Sequence, residues 1–192
     1  MSLFIRHVKY YEEGRLDEKA ITVIGFIVDF FSAAPLDEFY IMDPYLDPVE
    51  EIQKPFSEEK AENEIWSNLL AELAISGACV FKIITTREFT NELRTKTNPP
   101  YDIPFLYPDQ DVTIEACKYI ETKYCELSLH DRYILKKNGT ECIGLHIGPS
   151  LSGIVNKDVS ITLYDAEGAA AALESFIDIW EQCKKNKEWK TN

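Results

Sequence analysis

The residues best suited to chemistry lie in Ser128-Leu129-His130-Asp131-Arg132-Tyr133-Ile134. The stretch predicts a strand, on which positions i and i+2 share a face. His130 and Arg132 then point one way and Asp131 the other. An imidazole beside a fixed guanidinium suits a phosphoryl group. The cation neutralises non-bridging oxygens, and the imidazole serves as nucleophile or proton shuttle. Downstream, Gly148-Pro149-Ser150 and Asn156 add a tight turn, a hydroxyl and an amide that can donate to the same anion. Asp43 ends a predicted strand, where open α/β sheets tend to place ligands. The plain alternative is a strand histidine bonded within the sheet, an arginine paired with one of 33 carboxylates, and Asp131 and Asp43 in salt-bridge or turn roles. His146 reads as a core histidine and His7 as a surface one.

The elements that would position these groups follow from periodicity. Apolar residues Ile21, Ile24, Ile27, Val28 and Phe31 predict a helix over 17–34 with Asp17 as N-cap, Pro35 as stop and most of its sides buried. A strand over 39–42 ends at Asp43-Pro44-Tyr45-Leu46. A helix over 58–76 carries Ile65, Trp66, Leu69 and Leu73, and Gly77 stops it. A strand over 78–85 and a short polar helix near 88–94 follow. Pro99, Pro100, Pro104 and Pro108 make 95–110 a loop whose Tyr101, Phe105 and Tyr107 pin it down or line a lid. Strands are predicted over 112–120, 127–136, 141–147 and 159–164, and a helix over 165–185 with Ala169, Leu173, Phe176, Ile177 and Trp180 as its apolar stripe. Asn138-Gly139 is the clearest hairpin signal. With those two as the central residues, His130 faces Ile147 and Asp131 faces His146, so His146 lies across the sheet from His130. The sum is an α/β chain, a mixed β-sheet with helices on both faces. It reads as one domain over 1–192 with a frayed tail from 186.

The ordered set Ile41-Met42-Asp43-Pro44-Tyr45-Leu46, His130-Asp131-Arg132-Tyr133-Ile134, and Gly148-Pro149-Ser150 with Asn156 resembles the phospholipase D superfamily over roughly residues 17–180. Its signature is HxK, an acid five residues later, then Gly-Ser and Asn. The resemblance implies a phospholipase D-like sandwich, with His130 as a nucleophile forming a phosphohistidine and Arg132 binding phosphate. Ser150 and Asn156 would support the site, and no metal or cofactor is required. The family uses two such motifs, so a single-motif chain would complete its centre as a homodimer. Arg132 replaces the signature Lys, Lys137 stands at the acidic position, and Pro149 splits the Gly-Ser pair. Two functions therefore stay open: a phosphodiesterase or nuclease working through His130 as a dimer, or a non-catalytic module that recognises an anion or a protein with a degenerate site.

Composition limits the partners. With 20 Lys and Arg against 33 Asp and Glu, the net charge is −13. That field repels nucleic acid at long range and leaves room for a small phosphate-containing or other anionic ligand in a local basic cleft. At 45% hydrophobic and 28% charged residues the 192-residue chain has globular composition. No apolar run is long enough to span a membrane. The first residues lack a signal-peptide pattern, and Met1-Ser2-Leu3 reads as an added start on an excised domain. Five cysteines at irregular spacing form neither a disulfide framework nor a zinc motif and read as packed thiols in a reducing, cytoplasmic setting.

Overall fold

The computed structural model describes residues 2–5, 18–32, 38–48, 52, 64–74, 79–86, 100–103, 112–119, 131–148, 151 and 159–185. They form three helices, α1 (Glu18–Ser32), α2 (Glu64–Ala74) and α3 (Ala166–Lys185). The strands are β1 (Ser2–Ile5), β2 (Glu38–Met42), β3 (Cys79–Thr85), β4 (Tyr101–Asp102), β5 (Val112–Lys118), β6 (Tyr133–Asn138), β7 (Glu141–Gly148) and β8 (Val159–Leu163). All eight join one sheet in the order β1-β8-β7-β6-β2-β3-β5-β4.

The sheet is mixed. β2, β3 and β5 run parallel, and the remaining neighbours pair antiparallel. Strand alternation sorts its side chains between two cores. Phe39, Ile41, Phe81, Ile83, Ile114, Ile134, Leu145, Ile147 and Ile161 pack with α1 and α2. Tyr40, Met42, Ile84, Cys117, Tyr133 and Leu135 pack under α3. Helices therefore cover both faces, the architecture that the sequence predicts. Both faces of β2 are covered, which explains its nearly unbroken apolar run.

Helix α3 buries Ala169, Leu173, Phe176, Trp180 and Cys183, a stripe at spacings of four and three. Asp165 is its N-cap: Oδ1 accepts from the Gly168 amide at 2.8 Å. Lys184 and Lys185 in the last turn complement the helix dipole. Ile177, expected in the stripe, is exposed because it falls on the outer side of the helix. Helix α1 is likewise less enclosed than its composition suggests. Ile21 is 56% exposed, and Gly25 faces open space.

The β6–β7 hairpin corrects the expected turn. Asn138 pairs with Glu141, so the central residues are Gly139 and Thr140, and Tyr133 rather than Asp131 faces His146. Gly139 sits at φ 56°, a left-handed conformation that glycine adopts without a Cβ penalty. The shift is two residues, so each side chain keeps its face. His146 accordingly lies on the α3 side of the sheet. It is half-buried there rather than a core residue.

Two further corrections concern the edges. Ser2–Ile5, for which the sequence predicts no element, forms a strand antiparallel to β8. Tyr101, expected in a loop that it pins down or as part of a lid, lies instead on the edge strand β4, buried and paired with Ala116. The predicted helix near 88–94 and the tail from 186 lie outside the described residues.

Candidate functional site at the ends of the parallel strands

β2 lies between parallel β3 and antiparallel β6, so its carboxyl end adjoins the end of β3 and the start of β6. The carboxyl end of such a strand is where open α/β sheets leave room for ligands. Asp43 directly follows β2, Thr85 ends β3 and Thr86 follows it, and Arg132 precedes β6.

The loop after β2 is held rigidly. The Asp43 amide donates to the Ile84 carbonyl at 3.1 Å, continuing the ladder. Asp43 is buried, and its Oδ1 accepts from the Tyr45 amide at 2.9 Å, an Asx turn. Thr86 donates to the Pro44 carbonyl through its hydroxyl at 2.6 Å and its amide at 3.3 Å. Buried Thr85 donates from Oγ1 to the Leu46 carbonyl at 2.6 Å. Asp43, a candidate ligand residue, thus has a turn-forming role in this loop.

The loop presents Tyr45, and Arg132 lies against it. The guanidinium carbon is 4.8 Å from the ring centre, within cation–π range. The backbone of Arg132 is fixed by its carbonyl, which accepts from the Ile147 amide at 2.8 Å. Its Nε is buried and has no hydrogen-bond partner among the described residues. The ion pairs among the described residues, Lys82–Glu38 and Lys184–Glu181, do not involve it. An unsatisfied buried N–H costs roughly 1–3 kcal/mol, which an acceptor oxygen would offset.

Of the residues singled out in the sequence, the structure brings Arg132 and Asp43 to the same end of the sheet. Asp131 is exposed. His130, Ser150 and Asn156 lie outside the described residues. Lys137, at the family's acidic position, pairs with Glu38 in the β6–β2 register, on the strand face opposite to that of Ile134 and Lys136. Tyr45 went unremarked as a site residue, although its place just after Asp43-Pro44 was the available signal.

The other reactive groups are packed. Burial, followed by the neighbouring Cys183, pushes the Cys117 thiol well up, and burial pushes Cys183 up to about 12. Cys142 is half-buried and also raised by burial, with Lys137 pulling the other way. Thiols held protonated are poor nucleophiles. Cys125 lies outside the described residues. No group of three or more His, Cys, Asp or Glu suited to a metal ion occurs among the described residues. No helix there is long and apolar enough to cross a membrane.

No family model and no curated protein matches this sequence. Among solved structures the chain is similar to TrmBL2, an archaeal chromatin protein that shows a novel mode of DNA binding. The TM-score is 0.42 and the identity 9%, covering 96% of this chain. This chain spans about half, 54%, of that protein.

Proposed function

We propose that this chain is a phospholipase D-like domain that recognises a phosphate-containing anion at Arg132 without cleaving it. The observation that carries the reading is the buried Nε of Arg132, which has no partner among the described residues. A guanidinium that makes no ion pair among the described residues suits an external anion. Its planar fork offers two parallel N–H groups to a pair of phosphate oxygens. The Tyr45 ring holds the fork in place beforehand, so binding orders little. Lys137 faces Glu38 across the strands, so no carboxylate at that position orients an imidazole for attack.

A phosphodiesterase or nuclease is the second reading. There His130 of two protomers would meet at one phosphate in a homodimer, and Arg132 would stabilise the equatorial oxygens. The same guanidinium favours it.

One set of titrations separates the two. In the recognition reading, inorganic phosphate binds the wild type and His130→Ala alike, and Arg132→Glu abolishes binding. Hydrolysis of an aryl phosphodiester by the wild type that disappears in His130→Ala overturns recognition in favour of catalysis. Unchanged phosphate affinity in Arg132→Glu overturns both.

A further inference from the structure

We infer that the anion held at Arg132 is a nucleoside monophosphate whose base stacks on Tyr45; this rests on the anion reading above. Three large apolar side chains are exposed among the described residues, and two of them, Ile21 and Ile177, sit on helices. The third, Tyr45, stands at the strand ends and keeps 43% of its surface in solvent even with the guanidinium against it. An exposed aromatic on a flexible loop would be unremarkable. This one is carried by an Asx turn to Asp43, and the carbonyls on either side of it, those of Pro44 and Leu46, are gripped by the Thr86 and Thr85 hydroxyls. A ring fixed in this way loses little freedom when a flat group settles on it.

The neighbouring guanidinium specifies what else the ligand carries. It supplies an N–H in need of an acceptor, a requirement that a phosphate oxygen meets. A planar π surface beside an anion-binding fork therefore matches a molecule with a heterocycle and a phosphate. Stacking accepts any base, because each has a π face. The net charge of −13 decides between a monomer and a polymer. A strand of many phosphates meets the repulsion of that charge at each phosphate, whereas a single phosphate placed at Arg132 meets it once.

The test is calorimetric titration of the whole chain at low salt with four probes: AMP, ribose 5-phosphate, inorganic phosphate and a short single-stranded oligothymidylate. AMP is expected to bind about tenfold more tightly than ribose 5-phosphate, the discrimination that one stacked base provides. Tyr45→Leu should bring AMP down to the level of ribose 5-phosphate, and Tyr45→Phe should keep the advantage. Equal affinities of the two probes for the wild type overturn the proposal. So does a Tyr45→Leu protein that loses both equally, because the ring then serves only to position Arg132. An oligothymidylate that binds more tightly than AMP overturns the choice of a mononucleotide. If inorganic phosphate and ribose 5-phosphate bind but AMP gains nothing, stacking alone has failed. If no phosphate probe binds, the anion reading itself has failed.

Discussion

Lys136 donates from Nζ to the Phe31 carbonyl at 2.9 Å, tying the middle of β6 to the last turn of α1 across 105 residues of sequence. The lysine is 1% exposed, and its ammonium also lies 5.9 Å from the centre of the Phe39 ring. Helix α1 has no basic residue in its own last turn, so this strand side chain supplies the C-terminal cation. Lys136→Met keeps the length of the side chain but orphans a carbonyl. It should cost about 1–3 kcal/mol in urea unfolding. A protein of unchanged midpoint would show that the bond contributes nothing net.

Arg132 predicts the reverse pattern. Its Nε is a buried donor without a partner among the described residues, so Arg132→Met removes a desolvation cost along with one cation–π contact. The two effects are each on the order of 1 kcal/mol and opposite in sign. Stability should stay within about 1 kcal/mol of the wild type while phosphate binding disappears. Loss of more than twice that stability would make Arg132 a structural residue.

Two glycines should respond oppositely to alanine. A Cβ on Gly25 would meet nothing within 4 Å, and the residue lies in the middle of α1. Gly25→Ala should therefore stabilise by about 0.5–1 kcal/mol through helix propensity. A Cβ on Gly144 would fall 2.3 Å from Leu135 Cδ2, 3.1 Å from Tyr164 Cδ2 and 3.3 Å from the Ile134 carbonyl. Gly144→Ala should destabilise by about 1–3 kcal/mol, because the Leu135 methyl is enclosed and the backbone oxygen cannot retreat. Thermal unfolding of the pair reads both signs.

Glu38 gives a prediction in pH. Burial alone would raise its pKa, but hydrogen bonds from Lys82 and Tyr40, with the charges of Lys82 and Lys137, outweigh it, and the carboxyl titrates below its ordinary 4.5. A depressed carboxylate stabilises the fold fully above the unfolded value and ceases to do so as pH falls through the folded one. Glu38→Gln should therefore lose stability near neutral pH and converge on the wild type in acid, below 4.5. The pair is about a third exposed, which limits the difference to below about 1 kcal/mol. A gap that stays constant from neutral pH into acid would assign the effect to packing.

Much of the architecture was legible because it rests on period. The 3.6-residue stripe of α3 and the continuous apolar runs of β2 and β3 could each be buried in only one way. What escaped reading is non-local. Ser2–Ile5 carries little signal alone and becomes a strand because β8 offers an edge. Tyr101 reads as a loop residue amid prolines, and pairing with β5 draws it into the core. The hairpin turn moved by one residue, to Gly139-Thr140, and the cross-strand pairing by two. Both registers keep Ile134 and Leu135 on the same faces, so facial alternation alone could not choose between them. At the site, Arg132 was legible as a cation in the His130-Asp131-Arg132 motif, although it precedes β6 instead of lying on a strand. Its Tyr45 partner was not, because 87 positions separate them and only the adjacency of β2 and β6 brings them together.

The pairing of Ser2 with Thr162 also bears on how the chain is made. During synthesis β1 must wait until β8 has emerged before its partner exists. Non-local pairing of this kind slows folding toward the millisecond-to-second range. The last event in refolding should be the docking of residues 2–5. Truncating them should leave β8 as a bare ladder edge, ready to recruit strands from other molecules.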